Sequence, residues 1–144
     1  MYGNTYRKLK KGEYKLNPGG RPLDNAWTSY FRPANKNLNV GKFVEKVTWQ
    51  LHPTFRDPMK RYYEAPFEHS CPGCWGYFDL PFTVYWKEWT GLKKLELEFE
   101  LDFSEGGGQH VGWVKFKRED LEKKFPKMFG DVTAPPAQVR QSAS

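Results

Sequence analysis

The side chains best suited to chemistry stand in two segments of the sequence. The first is His52-Pro53-Thr54-Phe55, and the second is Cys71-Pro72-Gly73-Cys74-Trp75-Gly76-Tyr77-Phe78. Each combines aromatic rings with a small or polar neighbour in a turn-like setting, and a strand pattern leads into the first and out of the second. Binding loops commonly lie at one end of a β scaffold in this way. The sequence therefore predicts a slot formed between two loops.

Metal binding is the first chemistry to consider, because His69, Cys71 and Cys74 are possible zinc ligands at short spacing. A structural zinc site needs four ligands, and the sequence has no second cysteine pair. His52 or His110 would have to complete the set from a distance. The favoured interpretation is a turn that carries two thiols, with no metal and no other cofactor.

Catalysis is equally poorly supported. A dyad of His69 with Cys71 or Cys74 is conceivable, but no third residue that would orient it and no oxyanion motif can be identified. The alternating glutamates from Glu96 to Glu100 are typical of a solvated strand face. No glycine-rich loop leads into a helix that could bind phosphate. The sequence does not predict an enzyme, and we assign no catalytic residues.

Composition limits the class of protein. The 144 residues fit one domain, and the formal net charge of +6 is compatible with a secondary contact to DNA through basic residues. Aromatic residues make up 17% of the chain against 38% hydrophobic residues in total, so we expect some rings to be left over for binding. No apolar run approaches the roughly 18 residues that span a bilayer, and no signal region begins the chain. Together with two cysteines, this predicts a soluble intracellular protein without membrane contact.

The elements that must position the two loops are predicted as short strands. Val47, Trp49 and Leu51 alternate with polar residues, and a longer alternation runs from Leu95 to Phe103. Turn signals recur at spacings of roughly 8 to 12 residues. This pattern predicts an all-β fold, an immunoglobulin-like antiparallel β-sandwich of about seven or eight strands with a short C-terminal helix. Other strands are predicted at 27–32, 61–63, 78–86 and 111–117, with an edge or a bulge at the proline of the third.

Four segments are predicted along the chain. Residues 1–20 form a basic amino-terminal extension with a possible edge strand, and residues 21–118 form the sandwich domain. Residues 119–130 form the short helix. Residues 131–144 are rich in Ala, Pro, Gln and Ser, a composition typical of a disordered tail.

Both loops and their flanking strands also resemble one known family. The similar runs are Trp27-Thr28-Ser29-Tyr30-Phe31-Arg32, the stretch from Phe43 to Phe55, Pro66-Phe67-Glu68, and Trp75-Gly76-Tyr77-Phe78 with Leu80-Pro81-Phe82. The hallmark is leucine-histidine, one residue, Ser or Thr and an aromatic, followed some twenty residues later by a loop of glycine and aromatics. On these motifs the chain resembles a YEATS domain. The resemblance covers about Leu23 to Phe103 and implies an immunoglobulin-like sandwich, in agreement with the strand pattern.

The resemblance implies a module that reads acetylated or crotonylated lysine on histone tails, with histone H3 as the expected partner. Acylation removes the charge of lysine and leaves a flat amide, which suits a slot between two aromatic faces with polar groups that satisfy the amide. By resemblance Phe55 and Trp75 sandwich the amide, Thr54 accepts its N–H, and the backbone N–H of Trp75 donates to its carbonyl. The implied pocket is His52, Thr54, Phe55, Trp75, Gly76 and Phe78. The implied peripheral or peptide contacts are Leu23, Cys74, Tyr77 and Glu100.

Cys74 departs from the family pattern, which usually has glycine at this position. If that position needs a positive φ, a cysteine there is strained. The preceding Pro72-Gly73 indicates a reshaped loop, and the thiol is expected near the mouth of the pocket, where it would influence which acyl chain is preferred.

The resemblance further implies a nuclear protein that acts with subunits of a histone acetyltransferase or chromatin-remodelling complex. Two other functions remain open at this point. One is a scaffold subunit of a chromatin complex whose pocket no longer reads, because of Cys74. The other is a basic nucleic-acid-binding domain. Acyl-dependent binding distinguishes a reader from a scaffold, and a steep loss of affinity with salt would identify the nucleic-acid binder.

Overall fold

A computed structural model describes residues 1–126, which form two four-stranded antiparallel sheets around one core. The strands are β1 (Tyr2–Lys8), β2 (Asn25–Phe31), β3 (Val44–Gln50), β4 (Met59–Tyr62), β5 (Phe67–Cys74), β6 (Asp79–Trp86), β7 (Leu95–Glu100) and β8 (Gly108–His110). The helix α1 (Arg118–Lys124) follows, and single 3-10 turns lie at Val40–Lys42 and Glu88–Thr90. The predicted all-β sandwich with a short C-terminal helix is confirmed.

The strand order is β5-β2-β1-β8 in the first sheet and β4-β3-β6-β7 in the second. The central pair of the second sheet is antiparallel, with Val47 opposite Val84 and Trp49 opposite Phe82. The end of β3 and the start of β6 therefore lie at one end of the sandwich. The start of β3 and the end of β6 lie at the other.

The core forms because each strand directs alternate side chains to the same face. Val47, Trp49 and Phe82 on the central pair are at most 2% exposed. The predicted alternation on β7 is also found, since Phe99 is buried, the leucines are partly buried and the glutamates are exposed. The second sheet thus has one face in the core and one acidic margin in solvent.

The amino-terminal segment lies deeper in the fold than the expected extension with a possible edge strand. β1 is an inner strand, because it pairs with both β2 and β8. Buried Asn4 explains its position. The Asn4 side-chain amide donates to the carbonyl oxygen of Asp102 at 2.9 Å, and its Oδ1 accepts from the Asp102 N–H at 3.0 Å. These two bonds tie β1 to the segment that follows β7 in the other sheet.

The segment from Cys71 to Cys74 was expected as a turn but is the end of β5. Cys74 pairs with Asn25 and Cys71 with Trp27, so one extra residue stands on β5 between these two pairs. The extra residue is a bulge, which accommodates Pro72 because a bulged position needs no ladder N–H.

Two other strand predictions need correction. β6 is an inner strand rather than an edge strand. Pro81 stands opposite Glu98 of β7 but lies beyond Phe82, the last residue of β6 that pairs with β3, so its missing N–H is tolerated on that side. The final strand is Gly108–His110 and not 111–117. Its partner is β1, whose Tyr2 stands opposite His110.

Rings close the end of the sandwich where β3 begins and β6 ends. We call the set Phe43, Trp86, Trp89, Phe116 and Phe125 the aromatic cluster. The Phe43 ring centroid lies 5.2 Å from that of Trp89, 4.9 Å from that of Phe116 and 5.3 Å from that of Phe125. The cluster thereby packs the segment after β8, and α1 with it, against the second sheet.

The helix predicted at 119–130 begins at Arg118 and ends at Lys124, while residues 127–130 and the predicted tail at 131–144 lie outside the described residues. Within residues 1–126, no helix combines the length and the apolar character needed to cross a membrane.

Candidate functional site

A cavity of about 500 Å³ opens at the end of the sandwich where β3 and β5 finish and β6 begins. We call it the slot. It is lined by Asn17, Pro18, Leu23, His52, Thr54, Phe55, Arg56, Gly73, Cys74, Trp75, Gly76, Tyr77 and Phe78. The resemblance implied ten residues for the pocket and its periphery. Nine of them line this one cavity, and Glu100 does not.

The loop after β3 presents a hydroxyl to the slot. Its backbone turns on a hydrogen bond from the Phe55 N–H to the His52 carbonyl at 2.9 Å. The Thr54 N–H donates to Nδ1 of His52 at 3.3 Å, so that nitrogen carries no proton, and the Thr54 hydroxyl, 2.8 Å from the same nitrogen, is its second donor. The oxygen lone pairs of Thr54 remain available to accept a hydrogen bond.

The Phe78 ring contacts two other rings of the slot, those of Phe55 and His52. The centroid of Phe78 lies 5.5 Å from that of Phe55 and 6.0 Å from that of His52. Phe78 also packs edge-on against buried Trp27 at 6.0 Å. Phe78 is therefore both a slot wall and part of the rim of the core.

The loop between β5 and β6 supplies another wall of the slot. Trp75 is 48% exposed, which is unusual for an indole that serves only the core. At the next residue, a Cβ built on Gly76 would meet no atom within 4 Å, so the backbone there is open to a ligand. Tyr77 follows, 64% exposed.

Cys74 does not show the strain considered above. Asp57 is the one non-glycine residue with positive φ among residues 1–126, so Cys74 lies on ordinary extended backbone at the end of β5. Its side chain is 5% exposed, and its thiol donates to the Gly76 carbonyl at 3.3 Å. The neighbouring Cys71 thiol lowers the pKa of Cys74 to about 7, while the pKa of Cys71 is raised. Cys74 is thus part of the slot floor, and both cysteines are free.

The sequence did not reveal four residues of the slot lining, namely Asn17, Pro18, Arg56 and Gly73. The signal for the first two was visible, because Asn17-Pro18-Gly19-Gly20 reads as a strong turn. Only the packing of that turn onto β5 shows that it reaches the slot. Gly73 and Arg56 directly precede and follow predicted site residues, and nothing in their type distinguishes them.

Glu100 lies in a second cavity of about 410 Å³ next to the slot. Its lining is Tyr77, Glu100, Leu101, Asp102, Phe103 and His110. Tyr77 lines both cavities and packs edge-on against Phe103 at 6.1 Å. The slot lining contains Arg56 and no carboxylate, whereas the second cavity contains two carboxylates. The two cavities thus differ in charge.

His69 is engaged elsewhere, outside the lining of the slot. Its Nδ1 is hydrogen-bonded to the Tyr62 hydroxyl at 2.7 Å. Burial, together with the charge of Lys60, lowers the pKa of His69 to about 4, so the ring is neutral near pH 7. In the described part of the chain, no group of three or more His, Cys, Asp or Glu side chains is arranged to hold a metal ion.

Comparison with known proteins gives consistent matches. The model of the YEATS family matches residues 24–105. The protein AF-9 homolog of Saccharomyces cerevisiae is 33% identical over 103 residues, which cover 70% of this chain and 43% of that protein. The transcription initiation factor TFIID subunit 14b of Arabidopsis thaliana is 33% identical over 103 residues, which cover 70% of this chain and 35% of that protein. The chain thus spans less than half the length of these relatives.

Solved structures agree. The crystal structure of the yeast AF-9 homolog protein Yaf9 has a TM-score of 0.61 at 28% identity, covering 76% of this chain and 69% of that one. The Yaf9 YEATS domain bound to H3K27ac has a TM-score of 0.59 at 30% identity, covering 72% and 70%. The same domain recognizing an H3K122suc peptide has a TM-score of 0.56 at 29% identity, covering 71% and 68%. Because the family model matches more than half of the residues, the chain belongs to the YEATS family.

Proposed function

We propose that this chain binds acylated lysine on a histone tail, with histone H3 as the partner and the slot as the site. One observation carries the proposal. A hydroxyl oriented by His52 stands among the rings of Phe55, Trp75 and Phe78 in a single cavity. Similar domains of about 30% identity were solved with acylated H3 peptides, and this supports the same class of ligand.

The chemistry of the slot matches an amide rather than an ammonium group. An acylated lysine presents one N–H, one carbonyl and a flat neutral surface. Thr54 has free lone pairs for the N–H, and the open backbone at Gly76 allows the carbonyl to approach the main chain. Unmodified lysine would have to lose its water among the slot rings without a carboxylate in the lining.

The second cavity suits a basic residue beside the acyl-lysine. Histone tails are rich in lysine and arginine, and Glu100 and Asp102 stand on the far side of Tyr77 from the slot. A cation there would gain charge-assisted hydrogen bonds. The acidic side of β7 would also favour the approach of a basic peptide.

The chain acts by binding rather than by catalysis in this proposal, and it works in the nucleus as a recruiting module. Similar proteins include an AF-9 homolog and a TFIID subunit. We therefore assign its partners to a chromatin-modifying, remodelling or transcription complex. The basic residues of the chain would add at most a secondary contact with DNA.

The test is a titration of H3 tail peptides that are acetylated, crotonylated or unmodified, with the wild-type chain and with Thr54→Val and Thr54→Ser. We expect binding that requires the acyl group. Removal of the hydroxyl leaves the bound amide N–H unpaired, which costs about 1–3 kcal/mol, so Thr54→Val should weaken binding by roughly 5- to 150-fold. Thr54→Ser keeps the hydroxyl and should bind within a few fold of wild type.

Equal and weak binding of all three peptides would refute the proposal and leave a scaffold role. Binding that is independent of acylation and falls steeply with salt would instead identify a nucleic-acid binder that attracts peptides by charge.

A further inference from the structure

A hairpin formed by residues 15–23 makes a third side of the slot. We call it the amino-terminal hairpin. Its arms are joined by the bridge between Leu16 and Pro22 and by a hydrogen bond from the Leu23 N–H to the Lys15 carbonyl at 2.8 Å. At its tip, two hydrogen bonds join Asn17 and Arg21. The Asn17 N–H donates to the Arg21 carbonyl, and the Arg21 N–H donates to Asn17 Oδ1, each at 2.8 Å.

The hairpin is held on β5 by a close backbone contact. A Cβ placed on Gly73 would lie 2.6 Å from the carbonyl oxygen of Leu23, a distance that side chains do not tolerate. Only glycine at this position allows the two backbones to approach so closely. Leu23 is two residues after Arg21, and Gly73 is two residues before Trp75. The contact therefore places Arg21 and Trp75 on neighbouring backbone segments.

The Arg21 guanidinium lies over the indole of Trp75, with its central carbon 4.7 Å from the ring centroid. Trp75 lines the slot and Arg21 does not, so the guanidinium covers the indole without lining the cavity. A guanidinium in this position is attracted by the ring face. Its planar shape also stacks on the ring, which an ammonium group cannot do.

We propose that Arg21 is a positioning residue that holds Trp75 in the orientation needed to cover an acyl-lysine. The proposal rests on the proposed function of the slot. The half-exposed indole would otherwise sample several rotamers in the free protein, and ligand binding would have to select one. With the guanidinium stacked on its ring, the indole is in place before the ligand arrives. The hairpin and Arg21 precede residues 24–105, the segment that the family model matches, whereas Trp75 lies within it.

The expected effect follows from the entropy of ordering one side chain. Immobilising a rotamer-rich side chain reduces affinity by about two- to tenfold. Loss of Arg21 should therefore weaken binding of acetylated and crotonylated peptides by that factor. The two acyl groups should lose similar affinity, because the indole covers the amide that both share.

The experiment compares Arg21→Gln and Arg21→Lys with Lys15→Gln. Lys15 is an exposed cation on the same hairpin, so its variant changes the net charge equally without removing a group from the Trp75 ring. Affinities are measured at two salt concentrations. In parallel, the heteronuclear NOE of the Trp75 indole N–H is measured in the free protein, with its signal assigned from its absence in Trp75→Phe.

We expect Arg21→Gln to reduce both the affinity and the indole NOE, Arg21→Lys to restore part of each, and Lys15→Gln to leave both unchanged. An unchanged NOE in Arg21→Gln would overturn the proposal, as would equal losses of affinity in Arg21→Gln and Lys15→Gln. If wild type binds no acylated peptide, the proposed function fails, and the NOE still decides whether Arg21 orders the indole.

Discussion

The two ends of the β3–β6 pair use the same kind of side chain for opposite purposes. At the start of β3, Phe43 is 1% exposed and has rings on several sides, which belong to the aromatic cluster. At the end of β3, Phe55 and Phe78 are in contact, and together with Trp75 they line a cavity of about 500 Å³. One end is filled by its own rings, and the other leaves room for a ligand.

The difference shows what decides whether an aromatic residue stabilises the fold or serves binding. A ring packed on both faces by other rings contributes its buried area to folding. A ring with one face on a cavity buries that face only when a ligand binds. In this chain the cavity stays open because the loops around His52 and Trp75 are held from outside by backbone turns and by the amino-terminal hairpin.

The largest expected effect is at the filled end. Phe43→Ala should lower the free energy of unfolding by about 3–5 kcal/mol, because it opens a cavity among rings that cannot all collapse inward. Urea denaturation measures this value. Acyl-peptide affinity per folded molecule should stay within twofold of wild type. A large loss of affinity in the folded fraction would show that the two ends are coupled, which would break the comparison.

Trp75→Ala should give the converse result at the slot end. Stacking of a flat group on an aromatic ring is worth about 1–3 kcal/mol, so the acyl-peptide affinity should fall by roughly 5- to 150-fold. The free energy of unfolding should change by no more than about 0.5 kcal/mol, since the indole is half exposed. A destabilisation comparable to that of Phe43→Ala would mean that Trp75 belongs to the core.

Acid should lower the free energy of unfolding through His69, which lies between the two ends and whose pKa is lowered to about 4 by burial. In the unfolded chain this ring binds a proton near pH 6.5, so between about pH 6.5 and 4 the unfolded state binds more protons and the free energy of unfolding decreases as pH falls. The decrease should be on the order of 1–2 kcal/mol, because the ring is only partly buried. Urea titrations from pH 7 to 4 should show a flatter profile for His69→Gln.

His110→Gln removes an exposed histidine and serves as the control for that profile. If both variants flatten the profile equally, the pH dependence does not come from the buried ring.

The smallest effect is expected beside the slot. Glu100→Gln should weaken binding of a peptide with a neighbouring arginine by about 0.2–1 kcal/mol, and the difference should vanish at high salt, because an exposed ion pair is screened. The control is Glu98→Gln, which removes another exposed carboxylate of β7 that does not line the second cavity. Equal losses in both variants would indicate general attraction by the acidic strand instead of a defined contact.

Prediction from sequence succeeded where local pattern decides structure. The period-two alternation placed β3 and β7, and the His52 and Trp75 loops carry their residue types in contiguous runs. It failed where distant segments decide. Cys71–Cys74 looks like a turn because of Pro72 and Gly73, but pairing with β2 makes it a strand with a bulge. The role of Asn17 and Pro18 depends on a single close approach, that of Leu23 to Gly73, which no local pattern can show.

The position of β1 has a practical consequence for anyone who shortens this protein. A fragment cut at 24–105, the residues that match the family, would lose the partner strand on one side of β2. The exposed edge of β2 would then be free to pair with other molecules, and such a fragment should aggregate during expression. The same cut would remove the amino-terminal hairpin and with it one wall of the slot. The smallest unit worth producing therefore begins before Tyr2 and extends through α1.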